Sequence, residues 1–295
     1  MRVIYCKTGC STLFEPGKQY TVRDDLRPRM NYPQDLVLKN IKANIRRPLP
    51  QAMLHPAQRG KALVLCGGPS LSDHWATIQR KRSKGAKLIT MNGTHNEVLD
   101  RGMTPSAFVM LDARPHNERF VERANRECRY FLANQVHPYI FDALSGFDVR
   151  IWHPAVDSDR PEFKILDDYY MSHWVGVTGG TSVGPRAIWL TMMMGFRDIE
   201  IYGLDSSLRN GMHHAYPQAE NDTLSLQRVR IGRKIFECHA WMIKQLDEWM
   251  HFCAVLPHQV TLRIVGDGAI AYLMAQHEKI GRWPKVTVID TVEAK

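Results

Sequence analysis

Residues 61–71 read KALVLCGGPSL, an apolar run that ends in Gly67-Gly68-Pro69-Ser70. A short apolar run that is stopped by glycine and proline is typical of a buried strand followed by a turn. Beyond it, apolar segments of strand length alternate with helical patterns as far as residues 260–264. This alternation predicts parallel β-α-β units, so the expected fold is α/β: a Rossmann-like, doubly wound, mainly parallel sheet.

The alternation also predicts where the individual elements lie. Strands are expected at 62–66, 87–91, 107–111, 130–133, 149–152, 198–202 and 260–264, the last of them ending the core. Helices are expected at 71–84, 96–101, 117–126, 184–194 and 227–253.

Residues 1–60 do not follow this pattern. They contain short β-like segments at 3–5 and 19–22, and a helical pattern at 35–45 that RRPLP interrupts. This stretch holds 11 Lys and Arg against 4 Asp and Glu, in a chain whose net charge is +9. We therefore predict a basic N-terminal appendage (1–60) and a Rossmann-like domain (61–295). The charge suits a polyanionic partner such as DNA, an acidic glycan or a nucleotide, or it serves solubility alone.

The composition argues against several classes of protein. The six cysteines are scattered, and the one close pair, Cys6 and Cys10, has no second pair nearby, so no zinc or other metal site is expected. No apolar run reaches the roughly 18 residues of a membrane span, and the polar start does not resemble a signal peptide. We expect a cytoplasmic protein with free thiols and no membrane contact.

The Gly67-Gly68-Pro69-Ser70 loop is the first candidate binding site. Ligands of doubly wound sheets bind beyond the carboxyl ends of the strands. Glycines let the backbone approach a phosphate, and the start of the following helix offers N–H groups. The loop matches neither G-x-G-x-x-G nor a Walker sequence, and a plain strand-to-helix turn is the alternative.

Two further loops carry polar side chains at strand ends. Asn92 follows the strand at 87–91 and could bind a base or ribose, or simply form an Asx turn. Asp112 and Arg114 follow the strand at 107–111. Arg114 could clamp a phosphate and Asp112 could bind a metal or hydroxyl, or the two could form a local salt bridge.

The segment VTGGTSVGPR at 177–186 is the densest in small polar residues. Gly180, Thr181 and Ser182 at a helix start predict a second anion site, and Arg186 could stabilise a leaving phosphate. Asp205 follows the strand IEIYGL, where a buried carboxylate needs a partner.

His213 and His214 lie in the loop GMHHAY. Either could act as a general base near neutral pH, and Asp205 or Asp112 is the next candidate for this catalytic role. The alternatives are a solvated surface loop and a pair of metal ligands.

Three segments carry a resemblance to a known superfamily: VLCGGPSL, ITMNGTHNEVLDRGMTPSAFVMLD and VTGGTSVGPRAIWLTMMMGFRDIEIYGLDSS. In this order they resemble the 6-hydroxymethylpterin diphosphokinase MptE-like proteins and the bacterial sialyltransferases that use CMP-sialic acid. Gly67-Gly68 departs from the Gly-Asn-Gly that is frequent there. The resemblance implies that the donor phosphates contact Gly67, Gly68, Pro69 and Ser70 and that the nucleotide contacts Asn92. It also implies that Thr181 and Ser182 lie near the sugar or phosphate, and that His213 or His214 is the base.

The expected function is transfer of a group from a nucleotide-activated donor, such as a nucleotide sugar, to a hydroxyl acceptor. We rank a hydroxymethylated base in DNA, bound through the basic N-terminal region, above an acidic glycan as acceptor. One alternative is an ATP-dependent diphosphokinase with Mg²⁺ on Asp112 or Asp205; the other is a non-catalytic nucleotide- or nucleic-acid-binding protein. Residues 1–60 have no counterpart in this resemblance, although phage-encoded relatives of the superfamily often carry extra segments, and such a protein would act in the host cytoplasm.

Overall fold

The computed structural model describes residues 3–7, 32–155, 159–217, 225–257 and 259–292. They fall into two compact units. The first unit contains the described parts of 1–29, 63–86 and 197–295, and the second contains those of 30–62 and 87–196. The chain therefore leaves the first unit after residue 86 and returns to it at residue 197.

The strands of the described residues are β1 (Val3–Lys7), β2 (Lys61–Leu65), β3 (Lys87–Met91), β4 (Ala107–Met110), β5 (Arg129–Ala133), β6 (Asp148–Pro154), β7 (Gly176–Val177), β8 (Asp198–Tyr202), β9 (Leu226–Ile231), β10 (Lys234–Cys238), β11 (Thr261–Val265) and β12 (Val286–Val292). The α-helices are α1 (Gln34–Asn44), α2 (Trp75–Ser83), α3 (Thr94–Asp100), α4 (Pro138–Ala143), α5 (Pro161–Tyr170), α6 (Val183–Met193), α7 (Ala240–Ala254) and α8 (Ala269–Ile280).

The first unit is built on strands in the order β1-β11-β8-β2. Strands β11 and β8 run parallel, with Ile264 opposite Ile201, and β1 pairs antiparallel with β11. Leu63, Val64 and Ile201 are completely buried. Successive buried residues in one strand mean that both of its faces are covered, as the apolar run at 61–65 predicts.

The first unit also carries a second, antiparallel sheet in the order β10-β9-β12. Along β9, Gln227, Val229 and Ile231 are buried, while Arg228 and Arg230 between them are exposed. One face of this small sheet therefore packs inward and the other faces solvent.

The second unit is built on parallel strands in the order β3-β4-β5-β6-β7. Helix α1 packs against α5, where Val37, Ile41 and Leu166 share one apolar cluster. Two buried asparagines of α1 also donate hydrogen bonds to the loops that follow β4 and β5. Asn40 Nδ2 lies 3.0 Å from the Gln135 carbonyl oxygen, and Asn44 Nδ2 lies 2.9 Å from that of Asn134.

These elements confirm the predicted α/β, Rossmann-like fold with a mainly parallel sheet. The units divide the chain differently from the predicted boundary at residue 60, however. Strand β1 pairs within the first unit and α1 packs within the second. The predicted strand at 19–22 lies outside the described residues.

The predicted long helix at 227–253 is wrong in its first half. Residues 226–238 form the β9–β10 hairpin, and α7 starts only at Ala240. Burial along β9 alternates with period two, which is the pattern of a half-buried strand rather than of a helix. Gly232, with φ of 57°, lies at the tight turn between the two strands. The strand at 260–264 is also not the last element, because α8 and β12 follow it.

Two other helices are shorter than predicted. Residues 117–126 form no α-helix, only part of a 3-10 turn at Pro115–Phe120. A 3-10 turn at Pro69–His74 likewise precedes α2. Across the described ranges, every helix is too short or too polar to cross a membrane.

Candidate functional site

The Gly67–Ser70 loop lies at the end of β2, as predicted, and neighbouring backbone holds it closely. Gly68 donates a backbone hydrogen bond of 2.8 Å to the Gly203 carbonyl oxygen. A Cβ atom on Gly68 would lie 2.5 Å from that oxygen and 2.6 Å from Asp205 Oδ2. Gly68 therefore has no room for a side chain, which explains the glycine at this position.

Asp205 is the buried partner of this loop. The backbone N–H of Ser70 donates to Asp205 Oδ2 at 2.7 Å, and the Ser70 hydroxyl donates to Oδ1 at 2.6 Å. Cβ atoms on Gly266 and Gly268 would lie 3.3 Å and 2.7 Å from Asp205 Oδ1. The carboxylate thus joins three loops: 66–70, 203–207 and 266–268.

Burial sets the proton affinity of Asp205. Only 4% of the residue is exposed. Desolvation raises the pKa of its carboxyl to about 6, although the two hydrogen bonds from Ser70 act in the opposite direction. Ser70 is the partner that a buried carboxylate at this position was predicted to need. The Ser70 N–H and hydroxyl that donate to Asp205 are the same groups that were predicted to face a donor phosphate.

The histidine loop lies directly against the glycine loop through His214, Ala215 and Tyr216. A tight turn at Asn210 and Gly211, both with positive φ, reverses the chain towards the glycine loop. Ala215 then donates a backbone hydrogen bond of 2.9 Å to the Gly67 carbonyl oxygen. A Cβ atom on Gly67 would lie 2.8 Å from His214 Cδ2 and 2.7 Å from Tyr216 Oη. The structure thus brings the histidine loop and the glycine loop together.

An aromatic cluster extends from the histidines. The rings of His213 and His214 lie 4.6 Å apart between centroids, and the His213 ring lies 5.9 Å from that of His239. His239 stacks on Trp241 at 6.3 Å. His239 and Trp241 were not predicted as site residues, because both fall within the continuous helix that was expected at 227–253. Nor was Tyr216 given a role, although that residue was part of the quoted loop.

Asn92 lies at the end of β3 in the second unit. It has a φ of 45°, in the left-handed region that asparagine tolerates better than most residues. Its Oδ1 atom is buried and has no hydrogen-bond partner among the described residues. A buried amide oxygen of this kind is available to a donor group of a ligand.

Asp112 and Arg114 form the local salt bridge that was considered as the alternative. Arg114 Nη2 lies 2.5 Å from Asp112 Oδ2, and the Arg114 backbone N–H donates to Asp112 Oδ1 at 3.0 Å. Both side chains are partly exposed. Whether either contacts a donor phosphate or metal stays a prediction.

The Gly180–Ser182 loop precedes α6. Arg186 is buried, and its guanidinium donates to the carbonyl oxygens of Gly180, at 2.7 Å, and Val177. Arg186 therefore fixes the shape of the loop from within. Thr181 is exposed, whereas the Ser182 hydroxyl oxygen is buried and has no partner in the described part of the chain.

The predicted residues thus form two sets. Gly67, Gly68, Pro69, Ser70, Asp205, His213 and His214 meet in the first unit, and Asn92, Asp112, Arg114, Gly180, Thr181, Ser182 and Arg186 belong to the second. Among the described residues no three His, Cys, Asp or Glu side chains are grouped to hold a metal ion. Cys10 of the Cys6–Cys10 pair lies outside those residues.

Comparison with solved structures shows the same fold elsewhere. The Maf glycosyltransferase from Magnetospirillum magneticum AMB-1 aligns with a TM-score of 0.57 and 14% identity, over 77% of this chain. The chain spans about a third of that protein's length, 35% of it. Two structures of a mammalian sialyltransferase align at 10% and 11% identity, with TM-scores of 0.38 and 0.40. They cover 80% and 88% of this chain, and the chain covers 87% and 92% of theirs.

Comparison with curated protein sequences gives no match. A family model does match, over residues 36–211. This range is more than half of the chain and includes α1, the glycine loop, Asn92, the Gly180–Ser182 loop and Asp205. It ends just before His213. The chain therefore belongs to the family described as 6-hydroxymethylpterin diphosphokinase MptE-like.

Proposed function

We propose that the protein transfers a sugar from a nucleotide-activated donor to a hydroxyl acceptor. The observation that carries this proposal is the packing of the His213–His214 loop on the Gly67–Ser70 loop. A base and an anion-binding backbone are the two groups that such a transfer needs at one place. The shared fold of a glycosyltransferase structure is consistent with it.

In the proposed reaction, His213 or His214 removes the proton of the acceptor hydroxyl. The acceptor oxygen then bonds to the sugar carbon, and the bond from that carbon to the donor phosphate oxygen breaks. The nucleotide leaves with the bonding electrons, and its phosphate is stabilised by the Gly67 N–H, because the Gly68 and Ser70 N–H groups donate to Gly203 and Asp205 and Pro69 has none. Asp205 keeps that loop in place through Ser70.

The histidine assignment predicts a loss of turnover without a loss of donor binding. His213→Ala or His214→Ala should lower kcat by about 10²–10⁴-fold, the usual contribution of a general base. The donor is first found by thermal shift with ATP, CMP, UDP and GDP compounds, and nucleotide release is then followed by chromatography.

His116→Ala is the matched control, because His116 is an exposed histidine of the second unit. It should keep full turnover, and all three variants should keep the thermal shift. Full turnover in both His213→Ala and His214→Ala would place the base elsewhere.

Family membership favours a second candidate, an ATP-dependent diphosphokinase that acts on a hydroxymethyl group. Under this candidate Mg²⁺ would be held by Asp112 or Asp205. Because Asp205 accepts two hydrogen bonds from Ser70 and Asp112 is paired with Arg114, either would have to exchange a partner for the metal. Release of AMP from ATP that EDTA abolishes would favour the kinase, and metal-independent release of a nucleotide from its sugar would favour the glycosyltransferase.

For the acceptor we propose a hydroxymethylated base in DNA. The net charge of +9 supports a polyanion, because Lys and Arg contacts with phosphates release counterions and favour binding. Such a base reaches an active site only when it is single-stranded or flipped out of the duplex.

A further inference from the structure

The small antiparallel sheet of the first unit has one covered and one open face. Phe236 of β10 lies on the covered face, with its ring 5.6 Å from that of Tyr272 on α8. Arg228 and Arg230 of the central strand β9 lie on the open face. Since β9 is flanked by β10 and β12, these arginines stand in the middle of a broad surface rather than at its rim.

Charge is distributed unevenly along this open face. At one end, Arg228 has the acidic residues Glu237 and Asp290 as its cross-strand neighbours. Towards the other end, Arg230 stands between Ile235 and Thr287, neither of which is charged.

The second end of the sheet is strongly basic. Residues 229–236 and 281–289, which form it, contain no Asp or Glu. Their basic residues are all exposed: Arg230, Arg233, Lys234, Arg282 and Lys285. We call this surface the basic end of the sheet.

The basic end adjoins the loops of the candidate site. Lys234 Nζ lies 3.5 Å from the carbonyl oxygen of Asp267, between the two glycines that contact Asp205. At the opposite end of the hairpin, Leu208 donates a backbone hydrogen bond of 2.7 Å to the Glu237 carbonyl oxygen. The hairpin is thus attached at both ends to loops that surround Asp205.

We infer that the basic end of the sheet binds the phosphate backbone of a nucleic-acid acceptor and guides it to the candidate site. This inference rests on the proposed function and specifies its acceptor. Arg230 and Lys234 lie on neighbouring strands and Arg233, Arg282 and Lys285 in the segments next to them, so this end offers five cations to a chain with one charge per nucleotide. Isoleucines 235 and 289, which are 45% and 40% exposed, suit the apolar faces of bases and sugars better than the carboxylates and hydroxyls of an acidic glycan.

The test removes three charges from this surface and three from another. R230Q/R233Q/K285Q neutralises the basic end and spares Lys234, which contacts Asp267. R80Q/K84Q/K87Q is the matched control, because these residues are also exposed and lie outside both the basic end and the basic N-terminal region. Fluorescence anisotropy measures binding of a labelled 20-nucleotide single strand and its duplex between about 50 and 200 mM salt. Thermal shift with nucleotides is recorded on the same proteins.

We expect the basic-end variant to bind the single strand more weakly, with a slope of log K against log salt that is smaller by about 2. The control variant should keep the slope of the unmodified protein. The inference is overturned if the unmodified protein binds neither the single strand nor the duplex, or if the basic-end variant binds as well as the control. It is also overturned if polysialic acid of equal charge binds more tightly than DNA. DNA binding with the expected slopes supports nucleic-acid binding at the basic end even if no nucleotide shifts the Tm. The absence of a nucleotide shift would contradict only the proposed donor site.

Discussion

At the scale of the residue, we propose that Asp205 positions the glycine loop rather than acting as the base. Both of its oxygens accept hydrogen bonds from Ser70, and 4% exposure leaves it little access to an acceptor hydroxyl. A base at the glycine loop is better supplied by His213 or His214. Asp205 then contributes by fixing the backbone that faces the donor.

The raised pKa of Asp205 predicts a pH-dependent stability. Because its folded pKa of about 6 lies above the ordinary value of 3.8, the folded protein binds this proton more tightly than the unfolded chain does. The resulting stabilisation is complete below pH ~4 and is lost as the pH rises through about 6. Relative to Asp205→Asn, the free energy of unfolding should fall by about 3 kcal/mol between these limits.

Urea unfolding at several pH values between about 4 and 7.5 measures this difference. Asp35→Asn is a useful control, because Asp35 is exposed and is not among the groups that shift the pKa of Asp205. Its pH profile should follow that of the unmodified protein closely. Parallel profiles for Asp205→Asn and the unmodified protein would contradict the assignment.

Gly67 gives a second prediction, for the contact between the two loops. In Gly67→Ala the new methyl group would meet the ends of the His214 and Tyr216 side chains, which can move without disrupting the backbone. We expect the protein to stay folded while kcat falls by about 10²-fold, since a displacement of about 1 Å has this effect on a catalytic group. Adding Tyr216→Phe, which removes the contacted hydroxyl, should restore part of the loss. Unchanged kcat in Gly67→Ala would mean that this contact does not position the base.

At the scale of the element, helix α1 is tied to the loops at the carboxyl ends of β4 and β5. Its asparagines donate hydrogen bonds to backbone carbonyl groups of these loops. Asn40 Nδ2 also lies 3.3 Å from the Ala113 carbonyl oxygen, between Asp112 and Arg114. The helix that looked like part of an appendage therefore supports a candidate donor loop.

Asn44→Leu should lower the free energy of unfolding by about 1–3 kcal/mol. Asn44 is completely buried, and its side chain donates to the carbonyl oxygens of Asn134 and Val136, which the variant would leave without these donors. Lys42→Ala, an exposed change on the same helix, should alter stability by less than about 0.5 kcal/mol. Urea denaturation of both variants decides whether α1 docks through these bonds, and equal stabilities would exclude it.

At the scale of the whole molecule, local patterns predicted most of the strands and the position of each candidate loop. Buried strands such as β2 and β8 are visible because burial on both faces demands continuous apolar runs. The β9–β10 hairpin was missed although its alternation of charged and apolar residues is typical of a strand, because the pattern of the following helix α7 was extended back over it. The bond between Ser70 and Asp205 could not be predicted, since it joins residues 135 positions apart.

The discontinuity of the first unit has a consequence for synthesis. Domains generally fold as they emerge from the ribosome, N-terminal parts first. The glycine loop is made early, but its partners Gly203, Asp205 and Gly268 emerge only after the whole second unit. A nascent chain interrupted before residue 203 carries the loop without the contacts that shape it. The proposed donor site would thus be assembled late, and we expect a product that is truncated before residue 203 not to bind nucleotide.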